Sequence, residues 1–341
     1  MYRFVFLFHG LLSNVYYIDI IPFHIFRFQR FWNWLSIYFT YLYSYIFHSV
    51  KTSAAPFAIS IEPTSQCNLQ CRECPTGTNS LTRSVGEMPI ALFEKIISDI
   101  YKKTFYLNLY FQGEPLLNKN LSYFIEYAHR HGMYTVLSTN AQLLTPAWAQ
   151  MLVQSKLSKI IISLDGFSQQ SYAAYRKGGN VELVKQGIAN MVTAKEELHS
   201  TTPAIIVQVL VNRYNENEIP LIEKWIKHIG KVHLKKKSMQ LYSDFEFLPE
   251  NKHFRRYKLK NGTWVLKKYH SKGCFRIWSQ CVVTYNGDVL PCCYDKNGDY
   301  TVGNLSQNSL NKIWHSDLFN RFRKNTWSKN NNLAICNNCI K

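Results

Sequence analysis

The chain has 341 residues, 46% of them hydrophobic, with 40 Lys and Arg against 22 Asp and Glu for a formal charge of +18. That length excludes a disulfide-stapled miniprotein and accommodates one large domain with a smaller one. Nine cysteines, an odd number, exclude a framework of disulfides alone. The basic excess suits either a solvated surface or an anionic partner such as phosphate, acidic peptide, nucleic acid or lipid.

Residues 1–50 are rich in aromatic side chains. Phe31 to Phe47 carries no formal charge and approaches the length of a membrane span. Its Tyr, Trp, Ser and Thr prefer an interface to a hydrocarbon centre. The earlier stretch is broken by Asp19, Pro22 and His24, with Arg27 and Arg30 beyond. Phe4 to Leu12 is apolar, but no small-residue cleavage site follows, so this is not a good secretory signal. Three readings stay open: an anchor lying on the membrane, a true span, or helices packed on the protein's own core. In each, the rest of the chain faces the cytoplasm, either free or peripheral on the inner face of the membrane.

From Pro56 the chain alternates apolar runs with helical stretches. Strands are expected at Ala58 to Glu62, Phe105 to Phe111, Tyr134 to Ser138, Lys159 to Leu164, Ala204 to Val211 and Val232 to Lys236. Helices are expected at Pro89 to Tyr101, Asn118 to His131, from Thr145–Pro146 onward, at Val181 to Leu198 and at Glu216 to Ile229. Such alternation predicts an α/β fold, with a parallel sheet and helices outside it. Six units suit an open, partial (β/α)6 TIM-like barrel, whose chemistry sits on loops at the C-terminal ends of the strands. After Lys237 the alternation stops. Asn261-Gly262 within Tyr257 to Tyr269 signals a hairpin, and a cysteine-rich tail follows. The division expected is 1–55 for the aromatic N-terminal segment, 56–236 for the barrel and 237–341 for a small cysteine-rich domain.

The cysteines are grouped, and grouped cysteines at short spacing read as metal ligands in a reducing compartment. Cys67, Cys71 and Cys74 follow the first strand with spacing C-x3-C-x2-C. Three thiolates hold three irons of a 4Fe-4S cube and leave the fourth open, as a catalytic metal requires. This loop resembles the signature of the radical S-adenosylmethionine (SAM) superfamily, C-x3-C-x-aromatic-C. Here Glu73 stands at the aromatic position.

Further motifs extend the resemblance. Gln112, Gly113, Glu114 and Pro115 look like the family's G-G-E-P turn, which implies contact with the amino group of SAM. Ser138, Thr139 and Asn140 stand where relatives place polar contacts to SAM. Ser163 and Asp165, in ISLDG, resemble S-x-D-G, and Asp165 equally suits a turn cap. Arg176 matches an arginine that implies a contact to the SAM carboxylate. Leu210 to Asn212 are placed beside the adenine.

In the tail, twelve residues separate Cys274 from Gly287 and four separate Gly287 from Cys292. This resembles the opening of SPASM and twitch domains, C-x9-15-G-x4-C. Cys336 and Cys339 add C-x2-C. The resemblance implies that Cys274, Cys292, Cys336 and Cys339 close a second, auxiliary 4Fe-4S cluster. A structural zinc site would use the same four thiolates. Cys281 reads as core. Cys293 reads as a buried thiol or one facing substrate, and Asp295 as a turn residue or an acid–base group.

The function these features imply is reductive cleavage of SAM, giving methionine and a 5′-deoxyadenosyl radical that abstracts hydrogen from a peptide or protein. A small anionic metabolite or envelope precursor is the alternative substrate. A flavodoxin or ferredoxin is the expected electron donor, and nucleic acid is not expected as a partner. The reading from another class is a zinc-braced basic binding protein without catalysis.

Overall fold

The computed structural model describes residues 28–242, 245–267, 273–327 and 333–339. Expectations that fall on residues 1–27, and on the last two residues of the segment Tyr257 to Tyr269, lie outside the described residues.

Helix α1 (Phe28–Phe47) lies against the barrel by one face. Arg30, 1% exposed, sends Nη2 to the carbonyls of Tyr101 (2.7 Å) and His131 (2.9 Å). Those carbonyls cap the C-terminal ends of two barrel helices, where a cation is favoured. Asn33 exchanges two hydrogen bonds with the backbone of Ala55. Tyr38 and Tyr41 pack their rings 4.9 and 5.1 Å from Phe275. The opposite face exposes Phe28, Trp32, Phe39, Leu42, Ile46 and Phe47. Among the described residues no helix is long and apolar enough to cross a membrane. The span reading therefore does not hold for α1, while packing on the protein's own core holds for one of its faces.

The expected alternation is present. The order is β1 (Ala58–Ile61), α2 (Ile90–Ile100), β2 (Tyr106–Asn108), α3 (Leu121–Arg130), β3 (Tyr134–Thr139), α4 (Pro146–Gln154), β4 (Lys159–Ser163), α5 (Gln169–Tyr175), α6 (Val181–Glu197), β5 (Ala204–Val211), α7 (Ile219–Ile229) and β6 (Val232–Ser238). Neighbouring strands from β1 to β6 pair in parallel, in chain order. Each strand turns alternate residues toward the helices. Ile59, Leu107, Leu137, Ile160 and Val207 lie on that side and are fully buried. Helix α2 answers with Phe93, Ile96, Ile97 and Ile100, spaced along one face.

Several boundaries differ from expectation, each for a local reason. Helix α3 starts at Leu121 because Asn118 spends its side chain on the Pro63 carbonyl and the Asn120 N–H. Strand β2 ends early because the chain leaves the ladder for a turn at Gly113, where φ is +76°. Helix α5 was not expected; Ser168 caps it by accepting from the Ser171 N–H at 3.2 Å. A 3-10 turn, Glu216–Glu218, precedes α7.

The second half does not stand apart from the sheet. A hairpin, β7 (Tyr257–Lys260) and β8 (Thr263–Leu266), turns at Asn261-Gly262 as expected. After the short helix α8 (Arg276–Ser279), β9 (Gln280–Val283) pairs in parallel with β1. Strands β10 (Asp288–Leu290) and β11 (Gly303–Asn304) extend that edge antiparallel. Nine strands thus form one open sheet, β11-β10-β9-β1-β2-β3-β4-β5-β6. Helices α9 (Leu310–Trp314) and α10 (Asp317–Asn325) follow, and a 3-10 turn, Ala334–Cys336, lies in the last described stretch.

Candidate active site

The cysteine loop leaves the C-terminal end of β1. Cys71 is 4% exposed, while Cys67 and Cys74 are half-buried. The Cys74 N–H donates to the Cys71 carbonyl at 3.1 Å, so the last two cysteines share one turn. Gly77 lies so close that a Cβ there would sit 2.6 Å from the Cys71 carbonyl oxygen. Leu69, Tyr175, Met239 and Leu241 belong to the same buried apolar cluster as Cys71.

Polar groups from other strand ends reach the sulfurs. Asn140 Nδ2 lies 4.0 Å from Cys67 Sγ, and Arg176 Nη1 lies 3.7 Å from Cys71 Sγ. Gln112 Oε1 lies 3.9 Å from Cys74 Sγ and accepts from the Thr76 hydroxyl. Burial pushes the Cys67 thiol up to about 11. Burial also raises Cys71, and the Arg176 cation opposes it.

The turn at Gln112–Pro115 sits beside this loop. A Cβ on Gly113 would lie 2.6 Å from the Gln66 carbonyl, and φ there favours glycine. Glu114, 2% exposed, directs its carboxylate inward. It accepts from the Thr139 hydroxyl (2.6 Å), the Asn140 N–H (2.7 Å) and the Leu116 N–H (3.1 Å). A carboxylate offers about four acceptor positions, so three are filled by the chain's own donors. Burial pushes its pKa above the ordinary carboxylate value, and these bonds pull it back. Arg176 is gripped by Asp165, Nε to Oδ2 at 2.7 Å, and Asp165 also accepts from the Leu210 N–H at 2.6 Å. Ser138 and Ser163 lie at the C-terminal ends of β3 and β4. Every residue singled out on the barrel thus gathers at one rim.

In the second set, Cys274 and Cys339 are buried, and Cys292 and Cys336 half-buried. The charge of Cys274 bears on both Cys292 and Cys339. Cys274 and Cys336 share one apolar cluster. The Cys339 N–H closes a turn on the Cys336 carbonyl at 3.2 Å. Arg276 Nη1 reaches Cys293 Sγ at 3.9 Å. Cys281 lies in β9, 2% exposed, its thiol pushed up to about 12 by burial. Asp295 receives the N–H groups of Asp299 and Tyr300 and so closes a turn.

One important group carries no motif. Glu62, fully buried at the end of β1, forms a two-pronged ion pair with Arg83, Nη1 to Oε2 at 2.7 Å. It also accepts from the N–H groups of Gln112 and Tyr285, both at 3.3 Å. A lone carboxylate closing an apolar strand signals such a pair, but local pattern gives no hint of its partner.

The chemistry of these donors fits an iron–sulfur cluster. The thiols come from one tight loop, apolar side chains wall it, and N–H donors approach two sulfurs, as cluster tuning requires. Bound metal also supplies the positive charge that deprotonates a buried thiol. Among the described residues no three His, Cys, Asp or Glu side chains gather tightly enough to hold a single ion. Residues 61–226 match the model of the radical SAM superfamily, and residues 274–340 match SPASM, an iron–sulfur cluster-binding domain.

The chain belongs to the radical SAM superfamily. It is 26% identical to the S-adenosyl-L-methionine-dependent 2-deoxy-scyllo-inosamine dehydrogenase of Niallia circulans, over 82% of this chain and 91% of that protein. It is 23% identical to the tungsten-containing aldehyde ferredoxin oxidoreductase cofactor-modifying protein of Pyrococcus furiosus, over 82% and 86%. It is 26% identical to the PqqA peptide cyclase of Bradyrhizobium diazoefficiens, over 82% and 79%. Two solved structures share the fold. Native anSMEcpe with bound AdoMet gives a TM-score of 0.60 at 18% identity, covering 80% of this chain and 84% of that one. BtrN in complex with AdoMet and 2-DOIA gives 0.53 at 22%, covering 85% and 95%. This radical SAM protein is therefore an enzyme using SAM, a 4Fe-4S cluster and auxiliary iron–sulfur chemistry in its SPASM domain.

The Glu62–Arg83 pair yields a stability prediction. Arg83→Met leaves a fully buried carboxylate unpaired and costs about 3–5 kcal/mol. The urea midpoint should fall accordingly, and the double replacement Glu62→Leu with Arg83→Met should recover most of the loss. An unchanged midpoint in Arg83→Met would contradict this account of the β1 terminus.

Proposed function

We propose that this radical SAM enzyme acts on a peptide or protein bearing an anionic group close to the reacting carbon. Cys67, Cys71 and Cys74 would hold the catalytic cluster, and Cys274, Cys292, Cys336 and Cys339 the auxiliary one. When bound, the cluster and SAM would supply one-electron reductive scission of a carbon–sulfur bond and, through it, hydrogen-atom abstraction from substrate. The chain's own residues position and shield. Arg176, fixed by Asp165, places Nη1 beside the Cys71 sulfur and favours that thiolate. Glu114 holds the Gln112–Pro115 turn against Thr139 and Asn140, with one acceptor position left for an ammonium. Ser138, Ser163 and Asn140 complete the polar rim around SAM.

The anionic group is inferred from the barrel interior. Lys235 and Lys237 pair in register with Gln208 and Leu210, on the side of β5 opposite the helix-facing Val207, Val209 and Val211. Their charges bear on one another, and Arg276 bears on Lys237. Burial brings Lys235 down to about 7. Half-buried amines set this close together gain from a carboxylate or phosphate, whose charge favours their protonated form. Support for a peptide comes from the relative named as a peptide cyclase. The same cations also favour a small anionic metabolite as the second reading. The deciding experiment supplies candidates labelled with deuterium and follows the label into 5′-deoxyadenosine by mass spectrometry. Label arriving from acidic peptides supports the proposal. Label arriving from small anions alone, or only from uncharged compounds, overturns it.

The protein would work in the cytoplasm, where thiolate clusters stay reduced, and its basic surface suits an acidic electron donor such as flavodoxin or ferredoxin. The exposed aromatic face of α1, flanked by exposed Lys51, Lys102 and Lys103, suits the surface of an anionic membrane. The full chain should sediment with phosphatidylglycerol vesicles, and a variant carrying Phe39→Glu and Phe47→Glu should stay in solution. Equal sedimentation of both would exclude α1 as the anchor.

A further inference from the structure

Glu73 lies between Cys71 and Cys74, at the position where the radical SAM pattern carries an aromatic residue. It is not turned toward solvent: it is 7% exposed. Its Oε2 accepts from the backbone N–H of Tyr242 at 2.6 Å, across 169 residues of sequence. The segment it grips, residues 239–242, follows β6, and its Met239 and Leu241 belong to the same buried apolar cluster as Cys71.

The same segment is gripped from its other side by the second cysteine set. Asn338 lies between Cys336 and Cys339. Its Nδ2 donates to the Leu241 carbonyl at 2.6 Å. The Tyr257 hydroxyl donates to Asn338 Oδ1 at 2.7 Å and accepts from the Leu241 N–H at 3.0 Å. Arg256 Nη2 donates to the Asn338 carbonyl and to the Tyr294 hydroxyl, both at 3.0 Å, and Tyr294 stands two residues after Cys292. Leu241 is 4% and Tyr257 4% exposed, so these bonds are shielded from water. Bonds of this kind are strengthened by their surroundings and expensive to leave unmade.

We propose that Glu73 and Asn338 are positioning residues that join the two cysteine loops through residues 239–242, so that the state of each cluster is set partly by the loop of the other. The proposal rests on reading both cysteine sets as cluster sites. It follows from how few free motions remain. The Cys71–Cys74 turn is fixed by the Cys74 N–H and by the close approach of Gly77, and the Cys336–Cys339 turn by the Cys339 N–H. Each turn then holds the same backbone segment by one polar side chain. A displacement at either turn is passed to the segment and on to the other turn. Hydrogen bonding and solvent access at the cluster sulfurs, which set reduction potentials, move with it.

The test is a redox titration followed by electron paramagnetic resonance, on the full chain prepared without oxygen, with iron and sulfide measured first. Asn338→Ala should shift the one-electron reduction equilibrium of the cluster on Cys67, Cys71 and Cys74 by threefold or more. Glu73→Leu should do the same to the cluster of the SPASM domain. Glu73→Gln keeps an acceptor for Tyr242 and should restore wild-type behaviour. Tyr257→Phe removes one hydroxyl, lies in neither loop, and should shift both clusters, which keeps the test open if a harsher variant fails to fold. If each substitution changes only the cluster of its own loop, and Tyr257→Phe changes neither, the coupling is wrong while the two-cluster reading stands. A wild type that loads a single cluster overturns the reading of the second set, and the coupling with it.

Discussion

Thiolates must form here in a place where burial works against them. Cys67 is pushed up to about 11 and Cys71 is raised too, because a partly dry loop penalises negative sulfur. The remaining architecture can be read as the means of offsetting that penalty. Arg176 brings a cation to Cys71, and Asp165 keeps the guanidinium from turning away. Asn140 brings an amide to Cys67, and Glu114 fixes the backbone of Asn140. The positive charge of iron supplies what the protein does not.

These groups come from the connections that follow four strands, β1 to β4, so their convergence depends on the sheet staying in register. Glu62 serves this at its centre. Its carboxylate ties β1 to the turn after β2, to the loop carrying Arg83 and to the hairpin after β9. The parallel pairing of β9 with β1 then makes the SPASM half a continuation of the barrel. Cys67, Cys71 and Cys74 thus follow one strand of the sheet and Cys292 follows another, β10. Helix α1 adds to this from below, with Arg30 holding the ends of α2 and α3 while its outer face stays apolar.

Much of this was legible in the sequence because the signals are local. The spacing of Cys67, Cys71 and Cys74, the glycine of the Gln112–Pro115 turn, and Thr145–Pro146 at the start of α4 each state their role within a few residues. Strand–helix alternation is likewise a short-range property, and the six parallel strands follow from it. What stayed hidden is long-range and polar. The partner of Glu73 lies 169 residues away, the partner of Glu62 lies in a loop of no regular pattern, and β9 looks like any apolar strand until it is set beside β1. Arg176 read as a ligand for SAM because its motif says so, whereas its geometry shows first a bond to Asp165 and an approach to a cysteine sulfur. Glu114 likewise faces the protein's own donors more than the solvent.

The central claim is that the thiols of Cys67, Cys71 and Cys74 carry a cluster competent to cleave SAM. The most direct measurement pairs metal and sulfide analysis of the oxygen-free protein with the yield of 5′-deoxyadenosine from SAM and a strong reductant. The account predicts about eight irons and eight sulfides per chain, formation of 5′-deoxyadenosine, and loss of that product with about half the iron in Cys71→Ala. Zinc in place of iron, with SAM left intact by the reduced wild type, would contradict it.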